Sequence, residues 1–372
     1  MEGLEDDIIE APEDGETVSD EAIEGDAAEA RADVAETDSA GDAIEEAESI
    51  GDALDANIER VEDKVSREEP LSEDAAEAIE VAVEHFRKRL GYDKKVVPSL
   101  EGFKSTDTSL DKTKELLGNL KEMRSALTDG TTIAQEGLFA RMTNAIERWF
   151  TSTEKVYKNI GPAAAEMKRQ GVVDGVLKDA AWGRIFAKAG RVINAGNVSD
   201  FVHNVEKQKR EALPILKQIS DRALDIGNAI RNNNLVSSDK DVAEIKQLQV
   251  VAEKLLSEIK EKIEEYSKDS VDAKPLSLSE ADKLVSEVRT MMENSSFSRE
   301  VDHLASVLAD NTFSYVNQKN WRANGIFAGD LRAYSEAMGM ALRPAAALAH
   351  GLVQAEYLIA YGVYKYIKAS TK

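Results

Sequence analysis

Few side chains in this chain have the types and spacing that catalysis needs. The four histidines, His85, His203, His303 and His350, are far apart and in no metal-ligand spacing, so each reads as an ordinary helix residue. There is no glycine-rich phosphate loop and no His-Glu-x-x-His pair. Carboxylates are too abundant for any two to stand out as an acid and a base. The chain has no cysteine, which excludes disulfides and thiolate metal sites. We therefore expect no enzymatic role and no cofactor. The chemistry the chain does offer is that of a substrate. Ala134-Gln135-Glu136-Gly137 supplies a small residue, a variable one, a carboxylate and an unhindered glycine, which a protease accepting an extended segment can read. The same small-x-Glu-Gly pattern recurs at Ser99-Leu100-Glu101-Gly102 and at Ala22-Ile23-Glu24-Gly25.

Charge singles out the first of these. Residues 1–136 carry 40 acidic against 14 basic side chains, a net of −26, whereas 137–372 carry 30 against 33, a net of +3. The −23 of the whole chain thus belongs to one end. Residues 1–69 hold 27 acids, 4 bases and no Phe, Trp or Tyr, and we expect disorder there with a transient helix near Ala43–Val65. Residues 70–136 should complete a propeptide and 137–372 should form the mature helical part.

The elements expected around the seam are helices. Ser72 caps one that ends in Arg87-Lys88-Arg89 before Gly91. A second runs from Thr108, paired with Asp111 in capping-box spacing, to Thr128, with Leu110, Leu116, Leu117, Leu120, Met123 and Leu127 on one face. Asp129-Gly130 reads as a turn, which would place the seam in a loop before a helix over Leu138–Ile160. Gly161-Pro162 should break that helix, and short helices should fill Gly171–Gly196. Two long patterns follow, from Ser199 to Ile230 and from Asp239 to Tyr266, joined by a polar loop as an antiparallel hairpin, with Pro214 kinking or dividing the first. Later helices are expected from Ser279 (with Asp282) to Met292, Phe297–Tyr315, Ala328–Leu342 and Pro344–Lys368. The expected fold is all-α: a disordered acidic segment, short helices and a multi-helix bundle containing a long antiparallel hairpin.

Two further stretches admit functional readings. Ala345–Val363 is rich in small residues, but Arg343, His350, Gln354 and Glu356 make a membrane span costly, so a buried central helix is expected and no membrane. Lys207-Gln208-Lys209-Arg210 reads as a solvated helix face, with a phosphate-contacting patch as the alternative.

The acidic Ala/Glu-rich start, Arg87-Lys88-Arg89-Leu90-Gly91, Pro98-Ser99-Leu100-Glu101-Gly102-Phe103 and the junction Gln135-Glu136-Gly137-Leu138-Phe139 together resemble the processed internal head proteins of large tailed phages. The likeness covers roughly residues 20–160. It implies cleavage by the phage head-maturation protease after Glu136, with Ala134, Gln135 and Glu136 before the cut and Gly137 starting the mature chain. Ser99, Leu100 and Glu101 match an earlier cut before Gly102. It further implies prohead scaffold or capsid interior proteins as partners and location inside the virion head after synthesis in the host cytoplasm. Packaged DNA would lie nearby and be bound weakly at most, and ejection into the host would follow in some cases. The −26 segment would repel DNA phosphates and keep the precursor from early binding. The other readings are an unprocessed helical scaffold with an acidic partner-binding tail and a membrane-active helical effector.

Overall fold

The computed structural model describes residues 18–90, 109–187, 192–231, 239–265, 271–293, 295–309 and 328–372. The architecture is all-α. The helices of the described residues are α1 (Asp20–Ser66), α2 (Glu73–Leu90), α3 (Leu110–Gln170), α4 (Ala195–Arg231), α5 (Asp239–Glu265), α6 (Leu278–Met292), α7 (Ser295–Ala309) and α8 (Ala328–Ser370), with a 3-10 turn at Ala181–Phe186. The chain divides into two compact units. The first comprises residues 1–35, 139–310 and 326–372, and the second 36–138 and 311–325.

The second unit has a core of aliphatic side chains at helical spacing. Ile50, Leu54 and Val61 of α1, Leu71, Ala76, Ile79 and Val83 in and before α2, and Leu116, Leu120, Met123 and Leu127 of α3 are all buried together. The Nε–H of Arg124 is shared between the two Asp55 carboxylate oxygens, at 3.2 and 3.1 Å. Gly51 leaves room for that group, since a Cβ there would come within 2.9 Å of Arg124 Cζ. Ser72 and Ser109 cap α2 and α3 by accepting from the Ala75 and Lys112 amides at 3.3 Å each. The expected Thr108 cap lies outside the described residues, and Ser109 does the capping.

In the first unit α8 is the central element. Ala345, Ala346, Leu348, Ala349, Leu352, Val353, Ile359, Ala360, Val363 and Ile367 are all fully buried, so apolar residues all round the helix meet protein. The core reading of Ala345–Val363 holds. No helix among the described residues is long and apolar enough to cross a membrane. Helices α4 and α5 pack on each other and on α8. The Arg222–Glu244 ion pair at 2.7 Å joins the end of α4 to the start of α5, as an antiparallel hairpin requires, and Ile245, Ala252 and Ile259 keep the expected near-heptad spacing on the buried side of α5.

Several expectations are corrected. The segment expected to be disordered is helical from Asp20 to Ser66, because Ile23, Ala27, Ile44, Ala47, Ile50, Leu54 and Val61 form a sparse buried stripe. Residues 1–17 lie outside the described part. Gly161-Pro162 does not break α3, Pro214 does not divide α4, and Pro344 lies within α8 rather than at the start of a helix. A proline costs its helix one hydrogen bond, and flanking buried residues such as Ile160, Ala164 and Met167 offset that loss in α3. The capping box of α6 is Ser277 with Glu280, two residues before the expected pair. The stretch expected to hold short helices, Gly171–Gly196, holds the 3-10 turn Ala181–Phe186 and the start of α4, and its other described residues are outside helices. Leu177 and Ile193 both bridge to Ala273, and Val172 bridges to Thr371.

Gly362 marks a close approach. A Cβ there would run into the Phe186 ring. Gly362→Val should therefore destabilise the first unit by about 2 kcal/mol through overpacking, read as a lower urea midpoint with unchanged helix content.

Candidate processing site

The seam lies inside α3. The 61-residue helix runs unbroken from Leu110 to Gln170, so Ala134, Gln135, Glu136 and Gly137 are helical and not in a loop after a turn. Asp129-Gly130 is helical too, which corrects the turn reading. Ala134 and Gly137 face solvent, and a Cβ on Gly137 would meet nothing within 4 Å. The physical cause of the miss is tertiary anchoring on both sides. Leu120, Met123 and Leu127 are buried before the seam, and Leu138, Phe139 and Met142 after it.

Between those anchors the helix is made of poor helix formers. Thr128, Asp129, Gly130, Thr131, Thr132 and Gly137 together cost roughly 4 kcal/mol against alanine. By propensity this stretch of α3 is a weak one, as is Gly161-Pro162 further along the same helix. The second unit ends at Leu138 and the first resumes at Phe139, so the bond Glu136–Gly137 lies two residues from the division. One of the chain crossings between the units therefore falls beside the charge division, while acidic residues 1–35 belong to the first unit. The alternative site Ser99-Leu100-Glu101-Gly102 lies outside the described residues.

The third pattern, Ala22-Ile23-Glu24-Gly25, is placed quite differently. It belongs to the start of α1, which packs on the first unit. Val18 and Asn159 exchange two hydrogen bonds: the Val18 amide donates to Oδ1 at 3.1 Å, and Nδ2 donates to the Val18 carbonyl at 2.7 Å. Asp20 accepts from the Tyr364 hydroxyl at 2.8 Å and from Lys365 and Lys368 at 2.8 and 3.3 Å. Glu24 accepts from the Tyr361 hydroxyl at 2.5 Å and lies 3.4 Å from the Lys365 ammonium. Glu29 pairs with Arg148 at 3.1 Å, and Arg31 sits 6.0 Å over the Trp149 ring. Ile23 and Ala27 of the same helical segment are buried. Burial alone would raise the Asp20 carboxyl, but hydrogen bonds from Lys365, Tyr364 and Lys368 pull it down to about 2. Composition and spacing missed this docking. The signal was the i, i+4 pair Ile23/Ala27 beside the i, i+4 pair Asp20/Glu24.

The basic run in α4 is also corrected. Lys209 is buried, with 1% of its side chain exposed, and Gln208 is buried beside it. The Lys209 ammonium donates to Glu206 at 2.9 Å and to the Met291 carbonyl at 3.2 Å, forms an ion pair with buried Glu356, and lies 5.0 Å over the Phe297 ring. It is a core cation, unavailable to phosphate. Lys207 and Arg210 remain at the surface.

The histidines are dispersed. His350 is buried and accepts a hydrogen bond at 2.8 Å from the Trp149 indole. His203 Nδ1 lies 2.7 Å from the Ser199 carbonyl, and His303 lies 3.6 Å from Asp221. Among the described residues no three metal-ligating side chains gather into a site. Comparison with known proteins finds no matching family model, no matching curated protein and no matching solved structure.

Proposed function

We propose that this chain is an internal head protein of a large tailed phage, made as a precursor and cut after Glu136, with residues 137–372 retained in the head beside the DNA. The observation that carries the reading is that the charge boundary falls beside one of the chain crossings between the compact units. Net charge changes from −26 to +3 across the bond Glu136–Gly137, and the compact units divide two residues later. A weak helical stretch at that point lets a protease capture an unwound segment without unfolding either anchor. Removing 40 acidic side chains relieves repulsion from packed phosphates. The product's +3 gives no basis for tight DNA binding. The acting partner is the head-maturation protease, and the chain is its substrate.

Mass spectrometry of purified particles tests this. A semi-specific peptide starting at Gly137 is expected. Particles in which peptides spanning Glu136–Gly137 dominate would sink the proposal. One observation favours a second reading, an unprocessed helical scaffold with an acidic partner-binding segment: α3 is continuous through the seam, and α1 is folded rather than free. That reading expects the full-length 40.7 kDa chain in the finished assembly.

A further inference from the structure

We propose that residues 18–31 are a strap seated on a cationic and aromatic face of α3 and α8, and that this face is a receptor for an acidic amphipathic helix. The strap must leave this face before the acidic fragment released by the proposed cut at Glu136 can be lost; the receptor face itself does not rest on that cut.

The strap and the face match in three respects. Charge comes first. Asp20, Glu24 and Glu29 oppose Lys365, Lys368 and Arg148, and both lysines find their carboxylate partners on the strap. Second, the lysines are held in place by aromatic faces. Lys365 lies 5.2 Å over the Tyr361 ring and Lys368 lies 5.1 Å over Tyr364, while the two hydroxyls donate to Glu24 and Asp20. Tyrosine and lysine therefore present a combined donor set at the spacing of one helical turn, which is the spacing of Asp20 and Glu24. Third, the apolar row fits. Ile23 and Ala27, one turn apart on the helix that carries Asp20 and Glu24, are fully buried. A flexible phosphate chain has no counterpart for that row, whereas an acidic helix with an apolar edge does. Asn159, itself buried, fixes the register by hydrogen-bonding both polar groups of the Val18 backbone.

The docking also accounts for the fate of the third cleavage-like sequence. A protease reading Ala22-Ile23-Glu24-Gly25 needs extended backbone and a free glutamate. In the strap the backbone is helical, Ile23 is buried and Glu24 is held by Tyr361 and Lys365. The bond Glu24–Gly25 is shielded while the strap is seated and becomes a substrate once it leaves.

Hydrogen exchange on the full chain tests the strap. The receptor-side variant Tyr361→Phe/Lys365→Ala/Lys368→Ala leaves the strap sequence intact. Its amides at residues 20–29 should exchange about tenfold faster than in wild type, with α6 and α7 unchanged. A second full-chain variant, Ile23→Asp/Ala27→Asp, empties the face while making the chain more acidic. A fluorescein-labelled peptide of residues 18–35 should bind that variant saturably and at least about tenfold more tightly than wild type, whose face is filled. The same peptide carrying Ile23→Asp should not bind. Equal exchange in wild type and the first variant, or equal peptide binding to wild type and the second, overturns the proposal. So does a labelled oligothymidylate that binds the emptied face more tightly than the peptide. Failure here leaves the Gly137 terminus standing, and virion peptides that span Glu136–Gly137 leave the strap standing.

Discussion

Lys209→Met should destabilise the first unit by about 3–5 kcal/mol at neutral pH, because it leaves Glu356 buried without its cation. Lys209 is 1% and Glu356 5% exposed at the side chain, so neither charge has recourse to water. Burial pushes the Glu356 carboxyl upward, and the ion pair and hydrogen bond from Lys209 pull against it. Without Lys209 that opposition is gone and the carboxyl rises further. A carboxyl raised above its unfolded value destabilises the fold above that unfolded value and is relieved as pH falls below it. The variant's deficit should therefore shrink as pH drops toward 4.5, the ordinary glutamate value. Glu356→Gln should cost less than Lys209→Met, since Lys209 keeps Glu206 at 2.9 Å and the Met291 carbonyl at 3.2 Å. The double replacement Lys209→Met/Glu356→Leu should recover most of the loss, as apolar pairs of similar volume do in place of buried ions. Adding the single variant Glu356→Leu closes the cycle, and urea unfolding of wild type, the two singles Lys209→Met and Glu356→Leu and their double, checked by exchange at α4 amides, gives the coupling energy. A double variant no better than Lys209→Met would show that the pair is not the source of the loss.

Particular residues show what the sequence disclosed and what it hid. The buried stripe of α3 was legible from Leu116, Leu120, Met123 and Leu127, because large aliphatics repeating at helical steps mark the face a helix buries. The hairpin of α4 and α5 was legible for the same reason. Helix α1 was not, because its stripe is built from isolated isoleucines and alanines diluted by carboxylates. Averaged over residues 1–69 that composition reads as disorder, although Ile23, Ile44, Ile50 and Leu54 are each buried. The punctuation residues misled in one direction. Asp129-Gly130, Gly161-Pro162, Pro214 and Pro344 all lie within continuous helices. Local breaker signals cost a few kcal/mol at most, and anchors buried on either side outweigh them. Lys209 failed for a related reason. A charged run reads as surface unless the distant partner is known, and Glu356 is 147 positions away.

The candidate bond gains and loses from this. The charge boundary that marks it was legible in the sequence, and one crossing between the units falls beside it. Its local state was not: the residues on both sides of it are helical, so cleavage there would require an opening step. Helix-favouring replacements such as Gly130→Ala/Thr132→Ala, which leave all four residues of the small-x-Glu-Gly sequence in place, should slow cleavage without altering recognition. Equal rates would mean that unwinding does not limit the cut.

Acidification should destabilise the wild-type first unit by about 3 kcal/mol between pH 6.5 and 4 through His350 alone. The Trp149 Nε1–H donates to His350 Nε2 at 2.8 Å, so Nε2 must carry a lone pair and the imidazole must be neutral. A proton on Nε2 would confront the indole N–H in a site with 7% residual exposure. Burial first, and then the positive charge of Lys260, hold the imidazole down to about 4 from 6.5. The sign follows from linkage. Between those values the unfolded chain takes up a proton that the folded chain refuses, so stability is full above 6.5 and falls until pH reaches about 4. The nearby Tyr357 phenol is pushed upward and stays neutral throughout. Asp20, lowered from 3.8 to about 2 in the folded chain, also begins to lose its stabilisation at the acid end of this interval, a loss that the comparison with His350→Gln subtracts. His350→Gln keeps an acceptor for the indole and removes the titration. It should cost about 1 kcal/mol at pH 7 and then cross above wild type as pH falls. The difference between the two urea-derived stability curves isolates the histidine, since every other group is shared. A difference that stays flat from pH 7 to 4 would mean that the buried imidazole already carries its proton in the folded chain, against the geometry of the Trp149 hydrogen bond.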